Sequence, residues 1–106
     1  MTEKYVKIPY AYTVGGQHIR VRKVERCEDN KLGLCCVSGG YVEIAEKVNK
    51  DVIQTESSCM NTFYHELTHS ILDTMGEYDL SNNEKFVCTF SSFLTEAMKM
   101  AYFKVD

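Results

Sequence analysis

No stretch of this sequence is apolar enough, for long enough, to serve a membrane or an export machine. Met1-Thr2-Glu3-Lys4-Tyr5 leads into alternating residues instead of an apolar run of signal-peptide length. The most apolar segment, Phe86 to Phe103, is broken by Thr95, Glu96 and Lys99, so it reads as an amphipathic or buried helix and not as a span. A cytoplasmic location is expected. Dense basic clusters are also missing. At a net charge of -3 no Lys/Arg run can follow a phosphate backbone, which excludes a nucleic-acid partner. Lys4, Lys7, Arg20, Arg22, Lys23 and Arg26 make the first quarter locally basic, and they read as solvated faces of strands. The five cysteines contain no C-x-x-C pair. Without export an odd count means reduced thiols, and the adjacent Cys35 and Cys36 point to opposite faces of a strand. Cys59 and Cys88 read as small core residues. No repeat, low-complexity tract or linker interrupts the 106 residues, so one domain spanning residues 1–106 is expected.

What is present is an ordinary globular balance, 44% hydrophobic and 25% charged, divided into a β-prone first half and a helical second half. Tyr5 to Tyr12 and Gln17 to Val24 flank Val14-Gly15-Gly16, a hairpin signal. Pro9, the single proline, places the first run at an edge or a bulge. After the polar loop Glu28-Asp29-Asn30-Lys31 come Leu32 to Ser38, a Gly39-Gly40 turn, and Tyr41 to Ala45 with Val42 and Ile44 facing one way. Asp51 to Gln54 reads as a short turn. The expected fold class is α+β, with a small sheet of three or four mostly antiparallel strands packed on helices.

In the second half Met60, Phe63, Tyr64, Leu67, Ile71, Leu72 and Met75 recur at steps of three and four before Gly76, which predicts a helix from Ser57 to Met75. Glu77-Tyr78-Asp79-Leu80 forms a linker. A second helix then carries Phe86, Phe90, Phe93, Leu94, Ala97, Met98 and Ala101 at helical period. The first helix holds His65-Glu66-Leu67-Thr68-His69. A four-residue spacing returns both imidazoles to one face, one turn apart, where they can reach one ion. Neutral histidine nitrogens suit Zn2+, and Glu66 can reach a water at the ion as general base without coordinating it. The bland counterpart is a helix with two surface histidines flanking a glutamate.

A catalytic zinc site takes three protein ligands, so a third is required. Asp73, one turn beyond His69, is better placed to accept a hydrogen bond from a ligand imidazole than to coordinate. Glu77 and Asp79 sit in the linker. Glu84 opens the second helix, which must pack antiparallel to the first and so returns towards the histidines. Ser81-x-x-Glu84 is equally a capping box, in which Glu84 folds back on the Ser81 amide. Both readings of Glu84 stand at this level.

His65-Glu66-Leu67-Thr68-His69 followed by Asn83-Glu84 resembles the gluzincin clan of zinc metallopeptidases, to which thermolysin belongs, and the short chain is similar to minigluzincins and to small phage or bacterial zincin-like proteins. The likeness covers roughly residues 60 to 92. Val87 and Cys88 stand where the clan's N-E-x-x-S-D pattern has Ser and Asp. The resemblance implies a zincin-like fold, an active-site helix and a glutamate helix, with zinc held by His65, His69 and Glu84. It implies peptide-bond hydrolysis with Glu66 as general base, on a peptide or protein substrate bound along Tyr41 to Ala45. His18, Tyr78 and Tyr102 are candidates by residue type for an oxyanion donor. A degenerate zincin domain that binds zinc and a partner without turnover is the alternative.

Overall fold

The computed structural model describes residues 8–104. Strands β1 (Ala11–Val14) and β2 (Gln17–Val24) form the expected hairpin. Gly15 and Gly16 take φ of 55° and 82°, the paired left-handed conformation of a type I′ turn that glycine enters without a Cβ penalty. The first strand begins later than its sequence pattern, because Pro9 has no N–H for the ladder; residues 5–7 of that expected run lie outside the described residues. Pairing opens where the Tyr10 carbonyl accepts from the Val21 amide at 2.8 Å.

After a short 3-10 turn at Glu28–Asn30 come β3 (Gly33–Cys36) and β4 (Tyr41–Ala45), joined through the Gly39-Gly40 turn. The sheet order is β1-β2-β4-β3, and β2 runs parallel to β4. The sheet is therefore mixed, with two antiparallel pairs, which keeps it mostly antiparallel as expected, and one parallel pair, which the sequence did not indicate. The cause is that the chain places β3 outside β4 before returning. Val42 and Ile44 are fully buried and Tyr41 and Glu43 are not, as the alternation requires. The Asp51-to-Gln54 segment is not an isolated turn. Its Val52–Ile53 (β6) pairs with Lys47–Asn49 (β5) in a separate two-stranded ribbon.

Helix α1 spans Glu56–Met75. The Thr55 hydroxyl accepts from the Ser58 amide at its start, and Gly76 closes its end in the left-handed conformation at φ 81°. Met60, Phe63 and Tyr64 pack with Ile19, Val42 and Ile44 to form the core between helix and sheet. The linker expected at residues 77–80 is instead a single helical turn, α2 (Tyr78–Ser81), and α3 (Glu84–Met100) runs back along α1. Asn83 caps α3 by accepting from the Phe86 amide at 3.1 Å. No helix among the described residues is long and apolar enough to cross a membrane.

Candidate metal centre

The helix around His65 and His69 forms because its apolar positions keep helical period and both ends are capped, and this regularity sets the two rings 5.0 Å apart between centroids. Each ring is held through Nδ1. His69 Nδ1 is 3.0 Å from the Ser81 hydroxyl, and His65 Nδ1 is 4.0 Å from the Cys88 sulfur. Both Nε2 atoms then face the carboxylate of Glu84, at 3.6 Å from His65 and 3.5 Å from His69, one carboxylate oxygen to each ring. Burial, with His69 alongside, lowers the His65 pKa, so the ring is neutral at neutral pH and the contact is not an ion pair.

Those distances are long for hydrogen bonds and short for strangers. Ligand atoms about 2.1 Å from a tetrahedral ion stand about 3.4 Å from one another. One donor atom from each of His65, His69 and Glu84 lies within 4.8 Å of the others, so the three form a group that could hold a metal ion. A neutral ring that donates from Nδ1 keeps its Nε2 lone pair for the ion, which is how outer partners orient ligand histidines.

The capping-box reading of Glu84 does not survive. Ser81 lies in α2 with its hydroxyl on His69, and the cap of α3 is Asn83, two residues later than the box requires. Nor does the His69 ring turn to Asp73, because α2 presents Ser81 first; Asp73 lines the cleft beyond. Cys88 is not a core residue. It is exposed beside the site, 3.9 Å from Glu84 Oε2, because the core-facing positions of α3 are Val87, Ser91 and Thr95. Cys59 is buried as expected.

Glu66 is 7% exposed, under β3. Its pKa is raised to about 7, by burial first and then by the Glu84 carboxylate, with Lys31 opposing. A Cβ on Gly33 would stand 2.8 Å from Glu66 Oε2 and 2.6 Å from Thr62 Cγ2, so only glycine lets the strand lie this close. The cleft, about 600 Å3, has Lys31 to Cys35 as one wall and Asn61, Thr62 and the motif residues as its floor, closed by Ser81, Asn82 and Glu84.

The strand on the rim is therefore β3 and not Tyr41 to Ala45, which is enclosed between β2 and β3 and has no free edge. The Ala45 amide donates to the Leu32 carbonyl, so alternation makes Leu34–Glu43 and Cys36–Tyr41 the bonded pairs. Gly33 and Cys35 turn their main-chain groups outward. The expected oxyanion candidates lie elsewhere: His18 is exposed on β2, Tyr78 is exposed on α2, and Tyr102 follows α3. None of them lines the cleft.

Ser81 and Lys31 are the site residues that sequence reasoning overlooked. A short helical turn between two long helices could have signalled Ser81; nothing local signals Lys31. Compared with family models, curated proteins and solved structures, the chain matches none of them.

Proposed function

We propose that the chain is a zinc-dependent peptidase of the gluzincin type, built on a zincin-like arrangement of sheet, active-site helix and glutamate helix. The observation that carries this reading is the convergence of His65, His69 and Glu84 with a buried, raised-pKa Glu66 on one cleft. Two imidazoles and one carboxylate are the donor set of a catalytic zinc site that keeps a position open. When bound there, zinc supplies Lewis acidity, acidifying a water and polarising a carbonyl.

The chain's own residues do the rest. Glu66 takes the proton of the attacking water on its carboxylate and returns it to the departing amine, and its place in the cleft lining between the two histidines puts it within reach of both. Burial under Gly33 fixes the carboxylate and keeps bulk water from levelling its basicity. Ser81 holds the His69 imidazole in one orientation, and Cys88 lies beside the His65 ring as a weaker partner. An extended peptide adds to the outer edge of β3 through the Gly33 and Cys35 main chain, which aligns its carbonyls along the cleft floor. Lys31 at the same wall offers a cation to the substrate's backbone or to a carboxylate side chain.

A second reading, a zinc-bound module that holds a peptide without cleaving it, is favoured by one observation. His65 is held by a thiol at 4.0 Å, a weak partner where a carboxylate would hold it firmly. Zinc-loaded protein incubated with an unstructured protein separates the two. Under the peptidase reading the substrate is cut, and Glu66→Gln abolishes cutting while the zinc content is unchanged. Intact substrate with the wild type, bound equally well by Glu66→Gln, decides for the module.

A further inference from the structure

Helix α3 has two faces, and the site with its core uses only one. Val87, Ser91 and Thr95 are buried, and Leu94 and Met98 pack on the core. Away from them lie Phe86, Phe90, Phe93, Ala97 and Met100, at steps of four, three, four and three. That spacing is the apolar seam of a paired helix. Phe86 and Phe90 stack at 5.8 Å, Phe90 is 47% exposed, Phe93 67% and Met100 64%. A seam in which Phe90, Phe93 and Met100 are left in water beside a half-buried Phe86, on so short a chain, marks an interaction surface.

We infer that this seam docks against the same seam of a second copy, with the two α3 helices antiparallel. The flanking charges select the copy and the direction. On one border of the seam Lys85 stands near the helix start and Glu96 near its end, while Lys99 is held within the chain by the Ser57 hydroxyl at 2.7 Å. A two-fold axis perpendicular to the helices keeps each border facing its own copy. Centred between Phe90 and Ser91, it sets Lys85 against the partner's Glu96 twice. A parallel pair, related by an axis along the helices, would turn this border towards the uncharged opposite border of the partner and leave Lys85 and Glu96 without a counterpart.

The same centring interdigitates the rings. Phe86 falls between the partner's Phe93 and the partner's Ala97, where the small side chain leaves room, and Phe90 falls between the partner's Phe90 and the partner's Phe93. Packing and charge thus ask for one register.

At roughly 150–250 Å2 for a large side chain, the exposed parts of Phe90, Phe93 and Met100 amount to about 350 Å2 per copy. With the bordering Lys85, Thr89, Ser92 and Glu96, the pair reaches the low end of specific interfaces, about 1,000 Å2 in total. The dimer is accordingly reversible and depends on concentration. Glu84 and Cys88 project from the other side of α3, about 200° around the helix from Phe86. Pairing therefore leaves both clefts open, and the inference stands or falls apart from the metal site.

Sedimentation velocity of the full chain under reductant, from micromolar to near-millimolar concentration, tests this. The wild type shifts from one chain mass to two. Phe93→Lys stays at one chain mass with an unchanged circular dichroism spectrum, since the fold does not need a ring so exposed. Lys85→Glu and Glu96→Lys each weaken dimerisation about tenfold or more, and the double reversal restores it. A wild type that is monomeric throughout, or a dimer indifferent to Phe93→Lys, overturns the inference; a double reversal that restores nothing overturns the antiparallel register.

Discussion

Each imidazole of the pair is anchored by one nitrogen and offered by the other, so the anchor should be measurable in metal affinity. Removing the Ser81 hydroxyl frees the His69 ring to rotate, and outer partners of this kind are worth about 10- to 100-fold in affinity. Ser81→Ala is expected to lose zinc affinity in that range, read by competition with a chelating dye, with the thermal midpoint of the metal-free protein little changed. Glu66 makes a second prediction at the same scale. Its folded pKa of about 7 stands above the ordinary 4.5, because burial favours the neutral acid, so the native chain holds a proton that the unfolded chain has released between those values. The contribution to stability is complete below about pH 4.5 and is lost as pH rises through 7. For about 2.5 pH units this is about 3 kcal/mol in the metal-free protein. Urea melts of the metal-free protein at pH 5 and pH 8 should show the decline, and Glu66→Gln should flatten it.

Among the elements, the edge strand has the narrowest tolerance. Gly33→Ala puts a methyl group into Thr62 and Glu66, and overpacking of this kind costs about 1–3 kcal/mol. The expected outcome is a lower denaturation midpoint and, under the proposed peptidase reading, a larger loss of cleavage, because β3 lifts from the carboxylate it covers. Asn83→Ala should cost about 1 kcal/mol through the lost cap and leave zinc binding intact, whereas Glu84→Ala should do the reverse. The elements also show what a one-dimensional reading reaches. Helix α1, the Gly15-Gly16 hairpin and strand β4 were legible, since each is written in local signals: a period, a paired glycine, an alternation. The parallel β2–β4 pairing was not, because it depends on where β3 goes and no residue records that. For the same reason the resemblance placed the rim of the cleft at β4, where β3 holds it. Ser81 shows the limit from the other side: its capping-box spacing was correct as a pattern, but a turn of helix at Tyr78–Ser81 aimed the hydroxyl at His69.

At the scale of the whole molecule, the donor set joins the two long helices, His65 and His69 on α1 and Glu84 on α3, across the turn of α2. An ion held there bridges elements that otherwise touch through packing, so binding must add to folding stability. At a free zinc concentration about 100 times the dissociation constant the gain is about 2.7 kcal/mol. Thermal unfolding with and without zinc should show it in the wild type and lose it in Glu84→Ala. The most direct measurement is the zinc stoichiometry of the purified wild type beside Glu84→Ala, by competitive titration of both proteins with elemental analysis. One zinc per chain in the wild type, and an affinity lower by orders of magnitude without the Glu84 carboxylate, is the predicted result. Equal zinc content and affinity in the two proteins would contradict it, since the ion would then be held without the residue that closes the site.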